Sequence, residues 1–512
     1  MLRVPSVFRL RQTRVVAAFV LFAPLPGYLI SQSGPASERL GTVSFPTSCA
    51  PAVQKDFEHA VAMLHSFTYS PAQIAFRAVA AEDPGCAMAH WGIAMTYFHQ
   101  LWDPPLPDEA LLNGRREIQQ AQAIGAASDR ERRFINALAL LYGDDTVQFP
   151  YGTRVSKYLG AMAELAAAYP RDVESQAFYA LALLAAASPF DKTHAKQKQA
   201  AKVLEPLFRK YPDHPGIAHY LIHACDNAEM ASQGLAPALA YSKIAPSAPH
   251  ALHMPSHIFT RLGMWTDSIA SNRAASTAAR NQGDIGEELH AMDYLVYAYL
   301  QQGRYPEARQ VVQQLHQMSG LNSGSFKVAY ASTAMPVRYA IERSDWKAAS
   351  AIVPPDTAPP HVIAVAVWAR AVGLAHSGHA DETGAEIEKL ARLEQQLRAT
   401  NTESAQYWAG QVHVLSLEAR AWTAQAEGNS AEAQSLLRVA ADQEDAAEKL
   451  PTTPGPILPA REQLGDLLLE QNHPRQALKQ FQIALSNAPK RRGALIGEAR
   501  AVKLLATGPS NN

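Results

Sequence analysis

The chain has 512 residues, 47% hydrophobic and 18% charged, with a formal net charge of -1. That composition excludes global disorder, and the near-zero charge excludes a protein drawn by its overall field to nucleic acid or an anionic membrane. The length implies several domains or one long repeat array.

Reading from the start, Arg3, Arg9, Arg11 and Arg14 precede an apolar run from Val15 to Ile30. A charged region followed by an apolar one reads as an export signal over 1–30, cleaved or kept as an anchor. Pro24 and Pro26 interrupt the run, so a straight membrane-spanning helix is not expected. Tyr28-Leu29-Ile30 is not a small-residue cleavage site, so cleavage and tethering both stay open. Residues 31–48 read as a linker. The expected location is periplasmic, cell-surface or secreted, with membrane contact only through a retained N-terminal segment. In an oxidising compartment Cys49 and Cys86 are candidates for a disulfide, leaving Cys225 over; the alternative for all three is a small buried apolar residue.

From Cys49 onward apolar residues recur at helical spacing in segments broken by Pro, Gly and Asp, with no convincing alternating strand pattern. Such a run of short helices calls for a search for repeats. The clearest lies near the end: Leu464-Gly465, Leu468, Ala477, Phe481, Ala484 and Pro489. It matches the L-G pair, the A-x3-F step and the closing Pro of the tetratricopeptide signature, with Arg461 and Leu468 at its aromatic positions. Looser copies surround Ala72, Phe76 and Asp83-Pro84, and the turns at Gly263, Gly303, Ser344-Asp345 and Gly428-Asn429. Pro212 and Pro246 close helices one 34-residue period apart. The expected fold is all-α: an α-solenoid of degenerate tetratricopeptide-type helix pairs, with an N-terminal array over 49–353 and a C-terminal array over 361–507. The proline-rich loop Pro354–Pro360 is the joint, a second loop runs from Asp103 to Pro107, and the tail frays from Gly508.

Three phrases add a family likeness: Asp83-Pro84-Gly85-Cys86-Ala87-Met88-Ala89-His90-Trp91-Gly92, His214 to His223, and Pro249 to Phe259. On these the chain, from about Cys49 to the last repeat, resembles an exported family of bacterial tetratricopeptide repeat proteins. The resemblance implies the helical-repeat fold and transfers no reaction.

One constellation stands out. His219 and His223 are four residues apart, as are His253 and His257, and the two pairs are offset by one 34-residue period. Four imidazoles are expected to face one another across neighbouring first helices, which line the concave groove of such arrays. Asp226, His250, His290, Asp293 and Tyr297 fall at nearby or corresponding points, and Pro255 sets where the second helix begins. Three readings compete: packed, hydrogen-bonded seam residues; a groove for a peptide or protein partner; or a divalent transition-metal site for Zn, Cu or Fe. The expected function is a binding scaffold with a His-rich groove, with a metal-binding protein or metal-dependent enzyme using His219, His223, His253 and His257 as the alternative. H-E-x-x-H is absent, so a metal enzyme would need another base such as Asp226 or Asp293. No phosphate loop, dinucleotide fingerprint or nucleophile elbow occurs. His90 with Trp91 and His99 with Trp102 read as core packing, and Asp144-Asp145 as a solvated loop.

Overall fold

The computed structural model describes residues 38–101, 107–143, 149–322 and 324–507. The export segment 1–30, the linker's first half, Trp102, all but Pro107 of the Asp103–Pro107 loop, Asp144-Asp145 and the tail from Gly508 lie outside the described residues. Those described form helices joined by turns, with no strand among them. Successive helices pack in sequence along the chain, the arrangement of an α-solenoid of helix pairs. No helix among them is long and apolar enough to cross a membrane.

The repeat signature acts through small residues that admit an aromatic ring. In the pair Ala460–Glu470 and Pro474–Asn487, a Cβ on Gly465 would lie 2.6 Å from the Phe481 ring. The same ring leaves only 2.2 Å beside Gly497 of the next helix, Arg492–Thr507, so one buried phenyl locks three helices together. Phe76 and Gly92 repeat the device near the N-terminal end, at 2.4 Å. Gly263 turns with φ 63°, and a Cβ there would lie 2.4 Å from the Pro489 carbonyl. That close approach lets the Trp265 indole donate to the Lys490 carbonyl at 3.1 Å.

Over its described residues, 38–48, the linker expected over 31–48 needs correction. Leu40 and Phe45 are core residues, 4% and 0% exposed. The Phe45 ring lies 5.5 Å from Phe57, 5.5 Å from Trp91 and 5.1 Å from Phe134, with the Arg130 guanidinium over it at 4.3 Å. A stretch holding few apolar residues reads as linker by composition, yet one aromatic anchor suffices to pin it. Cys49 and Cys86 are joined by a disulfide, their Cα atoms 4.7 Å apart, and Cys225 is a buried free thiol. Across the Pro354–Pro360 loop, helices Phe326–Ile341 and Trp346–Ser350 both pack on Pro360–His376, so packing continues through the expected joint.

One element has no counterpart in the repeat pattern. Between helices Ser430–Asp445 and Ala460–Glu470, residues 446–459 form no regular structure, yet Thr452, Thr453 and Ile457 are buried. Buried irregular backbone must place every polar group. Here Pro451, Pro454, Pro456 and Pro459 remove donors from the problem. The carbonyls of Pro451 and Thr453 accept from the Tyr294 hydroxyl at 3.1 and 3.0 Å, and those of Pro456 and Gly455 accept from the buried Arg338 guanidinium at 2.9 and 3.4 Å. At its start, Glu448 pairs with Arg261 at 2.8 Å and Lys449 with Asp226 at 3.1 Å. This segment is fastened against the helices that carry the histidines.

Candidate metal centre

Helix Pro215–Cys225 carries His219 and His223. Proline opens it where a missing N–H costs nothing, and the His214 ring accepts from the Ile217 amide at 3.3 Å. All its residues are buried, as are those from Glu287 to Gln301 in helix Ile285–Gln301. A helix enclosed on every side carries polar groups only where they meet partners. Pro255 divides the next segment into short helices, Pro249–His253 and Pro255–Arg261, placing His250 and His253 on the first and His257 on the second.

Instead of one four-ring site the structure holds two three-ring clusters, His219 with His223 and His250, and His253 with His257 and His290. In each, one ring nitrogen per residue lies within 4.8 Å of the others. In the first, His219 Nε2 is 3.0 Å from His223 Nε2 and 3.1 Å from His250 Nε2. In the second, His253 and His257 bring Nε2 atoms to 2.9 Å. The clusters adjoin: ring centroids of His223 and His257 are 6.0 Å apart, and those of His250 and His253 6.2 Å. An aromatic ring covers each cluster. Phe67 lies 4.4 Å from His219, 5.5 Å from His250 and 5.8 Å from His223; Tyr294 lies 4.8 Å from His253, 4.9 Å from His257 and 5.2 Å from His290. Phe67 holds its position with φ 53°, a strained conformation for a bulky residue, of the kind that gathers at functional sites.

The outward ring nitrogens fix what the inward ones present. His257 Nδ1 meets the Asp226 carboxylate at 2.9 Å and His250 Nδ1 the Glu287 carboxylate at 3.0 Å. His219 Nδ1 meets the His65 carbonyl at 2.6 Å. His253 Nδ1 meets Asn272 Oδ1 at 2.7 Å, and that amide is oriented by its own donation to the Ser268 carbonyl at 2.8 Å. All four partners accept, so all four Nδ1 atoms carry hydrogen. A neutral ring then has a bare lone pair on Nε2. His253 and His257 aim theirs at each other, and so do His219 and His250.

Lone pairs at about 3 Å repel unless a cation stands between them. An extra proton is one candidate, but burial lowers the proton affinity of His219 and His253 well below the ordinary value. It also lowers that of His257, against the opposing pull of Asp226. A metal ion meets the requirement: with nitrogens at about 2.0–2.1 Å, ligand nitrogens stand about 3.4 Å apart in a tetrahedral site, a few tenths of an ångström beyond what is seen here. The hydrogen-bonded Nδ1 atoms are then the outer support that orients metal-bound imidazoles.

The other expected site residues divide. Asp226 is support, not ligand; burial alone would raise its carboxyl, but Lys449, Arg261 and the His257 hydrogen bond hold it well below the usual range. Asp293 pairs with Arg338 at 3.3 Å, and the Tyr297 hydroxyl accepts from Arg491 at 3.2 Å, so neither belongs to a cluster. The expectation of a groove presenting these histidines is also corrected. His223 is 8% exposed and the other five 0–2%, because the 446–459 segment and neighbouring helices enclose them. A further cluster, His65, Glu174 and His214, is spent internally. Glu174 accepts from both rings at 2.8 and 2.9 Å, and His65 meets the Tyr220 hydroxyl at 2.8 Å. That network braces the backbone whose carbonyl supports His219. On the open side, His223 and Asp226 border a cavity of about 1120 Å³.

No protein-family model matches the sequence, and neither does any curated protein. Among solved structures, the P58(IPK) TPR domain is similar over 90% of this chain and 99% of that one, at 10% identity with a TM-score of 0.22. The human IFIT1 dimer with m7Gppp-AAAA is similar over 82% of this chain and 90% of that one, at 10% identity with a TM-score of 0.39. Likeness this faint carries no argument, and the helical-repeat fold of this chain rests on its own helices.

Proposed function

We propose that this helical-repeat protein is a metalloprotein that binds two transition-metal ions side by side, one in each histidine triple. The observation that carries the reading is the pair of Nε2···Nε2 contacts whose hydrogens are committed elsewhere. Each cluster offers imidazole alone, without carboxylate or thiolate. Among the metals imidazole suits, copper binds such sites most tightly and is the ion we assign, ahead of zinc and iron. Three protein ligands leave a coordination position for an outside molecule. Two redox-active ions at one place favour oxidation chemistry, and the partner-binding role moves from the histidines to the cavity beside them.

The test is copper added to the metal-free, full-length protein, followed by desalting and elemental analysis. About two ions per chain are expected, the count the two three-ligand sites require. Spin coupling between neighbouring copper(II) ions should leave an electron-paramagnetic signal smaller than the copper content. Protein that retains no copper would end this reading.

We also place the protein outside the cytoplasm. The arginine-led apolar segment 1–30 supports this, and so does the Cys49–Cys86 bond, since disulfides persist in oxidising compartments. A reporter active only after export, fused to residues 1–48, should give signal; a silent fusion would remove the assignment.

A further inference from the structure

The cavity beside the first triple is built for a ligand of particular chemistry. Of the six clustered histidines it borders only His223, so a guest meets the site of His219, His223 and His250 and not its neighbour. Part of its wall is aromatic. His361 stacks on Trp408 at 4.3 Å and an interplanar angle of 14°; Phe326 lies 5.6 Å from Trp408, and Tyr407 5.1 Å. All four rings line the cavity. Four aromatic rings gathered on one lining suit a guest that is itself aromatic.

The polar part of the wall is under-satisfied. Among the described residues, Gln100 Oε1, Arg154 Nε, Gln197 Oε1, Thr452 Oγ1 and both ring nitrogens of His361 are buried without a hydrogen-bond partner, and all five side chains line this one cavity. Buried polar atoms left unmatched in one place ask for an occupant that supplies the missing bonds. Donors and acceptors both occur among them, so the occupant must give and accept hydrogen bonds. Arg154 and Lys449 stand with Asp226, Glu403 and Glu448 on the same lining, a mixture of signs that favours a neutral guest.

We propose that this cavity binds a phenol, its ring against the aromatic wall and its hydroxyl directed to the open position of the metal held by His219, His223 and His250. A phenol is neutral, aromatic, and both donor and acceptor through one oxygen that also ligates copper. The inference rests on the paired-metal reading for the second contact but not for the first. The phenol has two sources, a free aromatic alcohol or a tyrosine side chain on a peptide. A cavity of about 1120 Å³ has room for either.

The test uses the full chain, metal-free and copper-loaded, titrated with p-cresol, with cyclohexylmethanol and with a tyrosine-containing pentapeptide, by calorimetry. Metal-free protein is expected to bind p-cresol at least tenfold more tightly than cyclohexylmethanol, about what one good aromatic contact supplies. Tighter binding of the pentapeptide would assign a peptide source, and weaker binding a free phenol. In copper-loaded protein p-cresol should shift the copper absorption spectrum. Trp408→Leu should weaken binding by about tenfold. Since Trp408 also packs among its neighbours, Thr452→Val, nearly isosteric, serves as a second variant and should weaken p-cresol without moving the unfolding midpoint. Phenol binding without copper retention would leave the cavity assignment standing and remove the metal. Copper retention with no preference for p-cresol over cyclohexylmethanol would overturn the phenol and leave the metal.

Discussion

Replacing His253 and His257 together by alanine is expected to give a protein that retains about one copper ion where the wild type retains about two, because each three-imidazole cluster is complete in itself. The mirror variant, His219→Ala with His223→Ala, should show the same halving. Two nitrogens at 2.9 Å in one cluster and a chain of contacts at 3.0 and 3.1 Å in the other are separate constellations with different outer partners, though His250 and His253 share one short helix. Asn272 supports one cluster and His65 the other. A milder change, Asn272→Ala, keeps all six histidines but removes the acceptor at His253 Nδ1, along with the amide's bonds to Ser256 and Ser268, and should weaken the second site by roughly 10–100-fold while sparing the first. Elemental analysis at limiting copper reads all three variants, with circular dichroism to check that they remain helical. Loss of both ions from either double variant would merge the clusters into one site. Full retention in both would end the metal assignment.

Much of this centre was visible in the sequence and part was hidden, for identifiable reasons. The i, i+4 pairs His219/His223 and His253/His257 are legible because helical spacing alone puts them on one face, and the 34-residue offset brings the helices together. The completion of each pair by His250 or His290 is not legible, since it depends on how short helices broken at Pro255 turn against their neighbours. Tyr294 sits one turn beyond His290, and an i, i+4 search from that histidine would have found it. Asp293 and Tyr297, chosen on the same helix, point to Arg338 and Arg491 instead. Glu287, Asn272 and Phe67 leave no local signal, because their roles arise only from tertiary contact. The 446–459 segment does leave one. Four prolines within nine residues break the repeat pattern where a solenoid needs only a short turn, and such a stretch is long enough to cross to other helices. Burial then decides the meaning: the same histidines on an open groove would serve a partner, whereas enclosed by that segment they turn their lone pairs toward one another.

Asp226 is where that enclosure is fastened, and Asp226→Asn tests it. One oxygen accepts from His257 Nδ1 and Lys449 Nζ, the other from Arg261 Nε at 2.9 Å. An amide has a single acceptor. If it faces His257, its NH2 confronts Arg261, and in either orientation the counter-charge is gone. Arg261 keeps Glu448, but Lys449, buried and already pushed down to about 8 against an ordinary 10.5, loses its carboxylate. Breaking a buried ion pair from one side costs about 3–5 kcal/mol, so a marked drop in the unfolding midpoint is expected at neutral pH. The sign of the pH dependence follows. Lys449 is a base whose folded pKa lies below its unfolded one, so its stability contribution is lost as pH falls, and losing Asp226 carries the folded value lower still. The Lys449 part of the deficit should therefore be absent above about 8, where Lys449 is neutral in both folded proteins, and grow as pH falls below that value. The part owed to Arg261 remains at every pH. Limited proteolysis should cut the variant within 446–459 sooner than the wild type, since the ion pairs at Glu448 and Lys449 begin that segment. Copper content should be retained, because an amide oxygen turned to His257 still accepts from Nδ1. An unchanged midpoint with unchanged proteolysis would mean that the segment is held by the Tyr294 and Arg338 contacts to its carbonyls, with Asp226 contributing only to the histidine it touches.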